Sequence, residues 1–223
     1  MEHKSVRWCL AQWLEIRWWQ NYLAKQNPAA YRAQKIAYWQ RLLNTLDVQI
    51  APNERLLDAG CGPAGIFLLF DDQPTVAIDP LLDQYTAQLP HFQPHSHPNV
   101  QFLSQPLEAL QTKQPFDTIF CLNAINHVND WTLGLARLTQ AARPGTRLVL
   151  GVDVHKYALL KAIFRTLPGD VLHPHQHDRT DYRIALEELG WSIEREHTWK
   201  RGRIFDYWLV VATQMRNQWS TAL

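Results

Sequence analysis

The chain contains little cysteine. Its 223 residues include Cys9, Cys61 and Cys121, which are widely spaced and form no Cys-x-x-Cys pair. An odd number of scattered cysteines supports neither a disulfide framework nor a zinc ribbon. We therefore expect a protein of a reducing compartment, the cytoplasm.

Long apolar runs and a dominant charge are also absent from the sequence. No stretch approaches the roughly 20 apolar residues of a membrane span, and the first 25 residues mix charged with aromatic side chains, unlike a signal peptide. Lysine and arginine (22) nearly balance aspartate and glutamate (21), and the basic residues form no block. We expect a soluble protein with no integral membrane association and no broad face for nucleic acid.

The N-terminal segment, residues 1–48, differs from the rest in charge and aromatic content. It contains seven Lys and Arg against three Asp and Glu, and five of the ten tryptophans. Two amphipathic helices are predicted here, over residues 5–25 and about 28–46, with Asn27 as N-cap and Pro28 in the first turn of the second. The length suits one α/β domain, residues 49–223, with this helical segment as an extension.

The segment 55–66 contains the most informative motif of the sequence. It reads Arg-Leu-Leu-Asp-Ala-Gly-Cys-Gly-Pro-Ala-Gly-Ile, a short apolar strand followed by a G-x-G-x-x-G pattern at Gly60, Gly62 and Gly65. Such glycines supply a tight bend, a surface without Cβ atoms for close ligand approach, and close packing against a following helix, here expected at about 63–70. Because dinucleotide-binding folds use the same pattern, it is a weak signal alone.

The stretch from Asp58 to Gly65 resembles motif I of the class I S-adenosylmethionine-dependent methyltransferases. In that family the acid two residues before the first glycine lies near the methionine end of the cofactor, which carries an ammonium and a sulfonium. A carboxylate there would attract a cation and repel the pyrophosphate of a dinucleotide. The resemblance covers residues 53–213 and implies S-adenosyl-L-methionine as cofactor.

A second acid matches the same family. The predicted strand 75–78 ends at Asp79, 19 residues beyond Gly60, where a carboxylate can accept hydrogen bonds from both ribose hydroxyls. Asp79 could also cap the helix that begins at Leu81. Glu108 follows the third predicted strand and is implied near the adenine, or is an exposed first-turn helix residue. The implied cofactor contacts are Asp58, Ala59, Gly60, Cys61, Gly62, Gly65, Asp79, Pro80, Leu107, Glu108, Leu122 and Asn123.

The segment after the fourth predicted strand faces the substrate in this family. It resembles a segment of ubiquinone-pathway O-methyltransferases in which two acids and a histidine, associated with a metal, occupy the positions of Asn123, Asn126 and His127. Amides are poor ligands for a hard cation, so we expect no metal here. His127 is the candidate catalytic base for a hydroxyl acceptor; the alternative is a packed histidine bonded to backbone.

Other candidate substrate contacts come from the N-terminal helices and from late histidines. Leading helices often form a cap over the substrate pocket in this family; otherwise their aromatic residues pack the core or lie at a membrane interface. The histidines of segment 171–178 line the pocket, belong to a solvated loop, or hold a transition metal. The substrate-binding candidates are Trp18, Tyr22, Asn126, His127, His155, His173 and His175.

The resemblance implies an α/β fold, a doubly wound, mostly parallel seven-stranded sheet in the order 3-2-1-4-5-7-6 with strand 7 antiparallel. The sequence itself predicts two final strands, 191–199 and 204–213, joined by a glycine-containing turn. A helix capped by Thr180 is expected before them. A purely parallel dinucleotide-binding sheet would not end in such a hairpin.

The expected function is methyl transfer to a small, lipophilic or aromatic acceptor, with oxygen as the favoured acceptor atom. Two alternatives stay open. A nicotinamide-dependent oxidoreductase is favoured by the glycine pattern and Asp79. A cofactor-binding assembly protein would dock a partner through an exposed apolar patch on its Trp-rich helices.

Overall fold

The structure, a computed structural model, describes residues 6–155 and 177–216, with side chains from residue 12 onward. Its helices are α1 Val6–Leu23, α2 Pro28–Thr45, α3 Leu82–Gln88, α4 Trp131–Gln140 and α5 Arg179–Glu188. Its strands are β1 Leu56–Ala59, β2 Thr75–Ile78, β3 Val100–Leu103, β4 Phe116–Leu122, β5 Ala142–His155, β6 Trp191–Arg201 and β7 Phe205–Gln214. Over the described ranges, every helix is too short or too polar to pass through a bilayer.

The strands form one seven-stranded sheet in the order β3-β2-β1-β4-β5-β7-β6. The first five strands pair in parallel, and β7 runs antiparallel to both β5 and β6. The predicted fold class and strand order are therefore confirmed. Because β7 is inserted between two strands, nearly its whole length is buried, whereas the edge strand β6 is mostly exposed. This placement explains why β7 is an apolar run and β6 is polar.

The N-terminal helices pack on the sheet domain rather than standing apart from it. The side chain of Asn27 accepts hydrogen bonds from the amides of Ala29 and Ala30, so the predicted cap of α2 is confirmed. Trp39 of α2 shares a buried cluster with Leu56 of β1. Ile16 and Leu23 of α1 belong to a second cluster on the same side as α3. Apolar burial thus holds both helices over the carboxyl ends of the strands.

Two predicted helices differ from the structure. The helix expected at about 63–70 is two short 3₁₀ pieces, Gly62–Ala64 and Ile66–Leu69, because the backbone of Gly65 between them is extended. The predicted cap of α5 is wrong as well. Asp178 is the N-cap, and it forms a capping box with Asp181, while Thr180 lies inside the helix and is exposed. The sequence also predicts a helix over residues 157–167, which lie outside the described residues.

Candidate active site

A cavity of about 440 Å³ lies where the carboxyl ends of β1, β2 and β4 meet the two N-terminal helices. Ligands bind at this edge in open α/β sheets, because the loops that leave parallel strands diverge there. Nine of the predicted cofactor contacts line it: Gly60, Cys61, Gly62, Asp79, Pro80, Leu107, Glu108, Leu122 and Asn123. The sequence motifs therefore converge on one cavity.

The glycine-rich turn forms the floor of this cavity. Gly60 has a φ of +73°, and a Cβ atom on it would overlap that of Ala124 in the loop after β4. The amides of Gly60 and Cys61 both donate to the carbonyl of Ile78 at the end of β2, at 2.8 and 3.0 Å. Glycine is thus required both for the left-handed backbone and for the close approach of the neighbouring loop.

Asp79 joins the turn to the end of β2. One carboxylate oxygen accepts a hydrogen bond from the Gly62 amide at 3.0 Å, and the other accepts one from the Leu81 amide at 2.9 Å. Burial, and to a smaller extent the charge of nearby Glu15, raise the pKa of Asp79 to about 7 against the opposing effect of the two amides. The side chain lines the cavity. The cap that Asp79 could provide to a helix beginning at Leu81 is not found, because α3 begins at Leu82, its N-cap is Leu81 and no side chain caps it. Asp79 bonds to the amide of Leu81, just before the helix, while it lines the cavity.

Asp58, Ala59 and Gly65 are not found among the described residues of the cavity wall. The Asp58 carboxylate lies under the turn and accepts a hydrogen bond from the Phe67 amide at 3.0 Å. Alternation along β1 explains the arrangement, since Leu57 and Ala59 face the main core and Asp58 faces the opposite side. The carboxylate expected near the cationic end of the cofactor is therefore buried beneath the turn, and its contact with the cofactor stays a prediction. Burial instead raises the pKa of this carboxyl to about 7.

Gly65, the third glycine of the G-x-G-x-x-G pattern, allows the close packing that the pattern predicts. A Cβ atom on it would collide with the Asp58 carboxylate and the Cys61 carbonyl. Its φ of −71° is open to any residue, so space and not backbone conformation demands glycine here.

Glu108 stabilises the loop that follows β4 through hydrogen bonds. It is only 9% exposed, which excludes the exposed first-turn position. One carboxylate oxygen accepts hydrogen bonds from the amides of Asn129 and Asp130, at 2.7 and 3.1 Å. The same loop presents His127 to the cavity, so Glu108 positions the wall around that histidine.

Two of the predicted substrate contacts line the cavity, and the others lie outside its described wall or outside the described residues. Trp18 and half-buried His127 line the cavity. Tyr22 is stacked on Trp18, with ring centroids 4.9 Å apart, and lies outside the described wall. Asn126 and His155 are buried away from the described wall, the latter against the ring of Phe205 on β7. His173 and His175 lie outside the described residues.

Sequence reasoning missed two ionisable residues of the wall, Glu15 on α1 and Lys35 on α2. Glu15 accepts a hydrogen bond from the Tyr85 hydroxyl at 3.2 Å, and burial raises its pKa. Lys35 stands one turn before Trp39, whose indole N–H donates to the Ala64 carbonyl at 3.0 Å. The available signal was a charged residue on the otherwise apolar face of each helix.

The family of the chain follows from comparison with known proteins. A family model described as a methyltransferase domain matches residues 31–196, about three quarters of the sequence. The chain belongs to the methyltransferase domain family. This methyltransferase is therefore an enzyme, and the matched range includes the glycine-rich turn, Asp79 and His127. No curated protein matches its sequence.

Solved structures similar to the methyltransferase share its fold at low sequence identity. The YcgJ protein of Bacillus subtilis matches with a TM-score of 0.63 and 12% identity, over 80% of this chain and 98% of that chain. 1,6-Didemethyltoxoflavin-N1-methyltransferase from Burkholderia thailandensis, with 1,6-didemethyltoxoflavin and S-adenosylhomocysteine bound, gives 0.62 and 15%, over 97% and 93%. Magnesium protoporphyrin IX methyltransferase from Synechocystis PCC 6803, with bound SAH, gives 0.54 and 20%, over 83% and 84%.

Proposed function

We propose that this enzyme transfers a methyl group from S-adenosyl-L-methionine to a small lipophilic or aromatic acceptor, with oxygen as the favoured acceptor atom. The observation that supports it best is the cavity itself. A glycine floor without Cβ atoms, a buried carboxylate at the end of β2 and an aromatic roof from α1 and α2 share one space.

The residues of the cavity suit this cofactor. Gly60 and Gly62 leave room for an adenosine group against bare backbone, and Asp79 offers carboxylate oxygens to the ribose hydroxyls. Three acids, Glu15, Asp79 and Glu108, line the wall and would repel a pyrophosphate, which disfavours the nicotinamide alternative. When bound, the cofactor supplies an electrophilic methyl group on a sulfonium.

The roof of the cavity supports an apolar, planar acceptor. Trp18, Trp19 and Trp39 all line it, and aromatic walls favour flat apolar ligands. A related fold binds 1,6-didemethyltoxoflavin, a small molecule. His127 stands on the wall beside Asn123, where its imidazole can take a proton from an acceptor hydroxyl as the methyl group arrives. Positioning in such a site is worth up to roughly 7–11 kcal/mol of the barrier.

Calorimetric titration with S-adenosylmethionine, S-adenosylhomocysteine and NADH tests the cofactor class. We expect micromolar binding of the first two and none of NADH. Binding of NADH alone would refute the proposal. A screen of phenols, hydroxylated heteroaromatics and amines, read out as S-adenosylhomocysteine formed, then tests the acceptor class and atom.

Replacing Asp79 tests the ribose contact. Asp79→Ala should weaken S-adenosylhomocysteine binding by about 1–3 kcal/mol, because it removes acceptors for the hydroxyls and releases the Gly62 amide. Asp72→Ala, on an exposed loop, is the matched control and should bind as the wild type does. Circular dichroism checks that both variants fold. Unchanged affinity in folded Asp79→Ala would remove the assignment.

A further inference from the structure

Lys35 is a cation in the cavity wall that no described acid pairs with. Its side chain is half-buried, and its ammonium nitrogen lies 4.7 Å from the centroid of the Trp39 ring and 5.1 Å from that of Tyr38. No ion pair among the described residues includes it. Two aromatic faces thus hold the ammonium group, and they leave its hydrogen-bond donors available.

The charges around Lys35 compensate its positive charge only in part. It is the only lysine or arginine among the described residues of the wall. The three acids of the wall accept hydrogen bonds from other groups: Glu15 from the Tyr85 hydroxyl, Asp79 from the amides of Gly62 and Leu81, and Glu108 from loop amides. Burial, and to a smaller extent the charge of Lys200, lower the pKa of Lys35 to about 8, and the charge of Asp58 opposes this shift. A half-buried cation without a partner costs free energy, which an anionic ligand would recover.

The position of Lys35 also separates it from the ribose acceptor. Trp39, one turn further along α2, bonds to the Ala64 carbonyl, so this part of α2 lies over the glycine-rich segment. The ring of Trp39, 4.7 Å from the Lys35 ammonium, belongs to a buried cluster that includes Leu56 of β1, so Lys35 lies on the β1 side of the turn. Asp79 stands instead at the end of β2. The cavity therefore has one group that suits hydroxyl donors and, at a different place, one that suits an anion.

We propose that Lys35 binds the carboxylate of the cofactor's amino-acid end, its only anionic group. The inference rests on the proposed function and adds a residue from α2 to the cofactor site. A charge-assisted bond of this kind is among the stronger polar contacts. The same bond would connect α2 of the N-terminal helical segment directly to the cofactor, since Lys35 belongs to α2.

The test compares two ligands that differ at this end. S-adenosylhomocysteine contains the carboxylate, and 5′-deoxy-5′-methylthioadenosine lacks the whole amino-acid moiety. Both are titrated into wild type, Lys35→Gln, Lys35→Arg and the control Lys113→Gln, at an exposed position away from the cavity. We expect Lys35→Gln to weaken S-adenosylhomocysteine binding at least tenfold and to leave methylthioadenosine binding within twofold. Lys35→Arg should retain most of the affinity, because it keeps the charge.

Other results would overturn the inference. Equal losses for both ligands would assign Lys35 a structural role only. Unchanged S-adenosylhomocysteine binding, with a raised KM for an acidic acceptor, would place the carboxylate on the acceptor. Should Lys35→Gln fail to fold, Lys35→Met keeps the apolar stem between the two rings and permits the same comparison. Failure of the wild type to bind S-adenosylhomocysteine would instead refute the proposed function.

Discussion

At the scale of single residues, the acids around the cavity hold backbone amides in place. Asp58 bonds to Phe67, Asp79 to Gly62 and Leu81, and Glu108 to the loop after β4. Each of these amides would otherwise be poorly satisfied in a 3₁₀ turn or an irregular loop. An acid that a motif assigns to ligand binding therefore also shapes the surface that receives the ligand.

Gly65→Ala tests the packing beneath the turn. The added methyl group would collide with the Asp58 carboxylate and the Cys61 carbonyl, so we expect a loss of about 1–3 kcal/mol in the free energy of unfolding. Affinity for S-adenosylhomocysteine should fall as well, because Cys61 forms part of the floor. Urea denaturation and calorimetry measure the two effects.

Gly145→Ala is the comparison for that change. Its methyl group would meet nothing within 4 Å, and only the φ of +88° opposes it. We expect a cost of about 1 kcal/mol and unchanged ligand affinity. If Gly65→Ala is no more damaging than this variant, space does not explain the glycine at position 65.

At the scale of elements, local capping signals determine where helices begin. Asn27 and Pro28 mark the start of α2 as the sequence indicates. For α5 the sequence predicts Thr180 as the cap, and the structure has the cap two residues earlier, at Asp178. The reciprocal bonds of a capping box, with an acid at the third helical position, explain that choice.

The cap of α5 can be tested with a pair of variants. Asp178→Ala should lower the free energy of unfolding by about 1 kcal/mol, because the Asp181 amide loses its acceptor. Thr180→Ala, at an exposed position inside the helix, should change it by less than about 0.5 kcal/mol. Chemical denaturation of both variants measures the difference, and the reverse order would restore Thr180 as the cap.

At the scale of the whole molecule, the cavity concentrates groups whose charged forms are disfavoured by burial. The pKa of Asp58 and that of Asp79 are raised to about 7, and that of Lys35 is lowered to about 8. Stability without ligand should consequently depend on pH near neutrality. A carboxyl whose pKa is higher in the folded state contributes stability below its unfolded pKa, and this contribution is lost as the pH rises through the folded value.

Asp58→Asn isolates one of these groups. Asparagine keeps an oxygen for the Phe67 amide and does not titrate. Because the pKa of Asp58 is about 7 in the folded state and 3.8 for an aspartate in water, the wild type should lose about 2–3 kcal/mol relative to the variant between pH 5 and pH 8. Urea denaturation at both pH values gives the difference. A wild-type stability that falls in parallel with that of the variant would show that Asp58 does not titrate in this range.

Much of the fold and part of the site could be predicted from the sequence, since both depend on local signals. The glycine pattern, the acids that end or follow short apolar strands, and the final hairpin are short-range features with known geometry. The family resemblance that these features support implied the strand order and eleven residues that line the cavity. The burial of Asp58 was not predictable in this way, because alternation along β1 gives the face on which it lies but not that the segment of Phe67 covers that face.

The sequence by itself determined the class of the fold, the start of α2 and the location of the ligand-binding turn, because each follows from residues adjacent in the chain. Only the tertiary structure decided that Glu15 and Lys35 line the cavity, that Asp58 lies beneath it and that Glu108 holds the loop of His127. These arrangements depend on packing between segments far apart in sequence. The charge state of each buried group depends on the same packing, since burial and distant neighbours set its pKa.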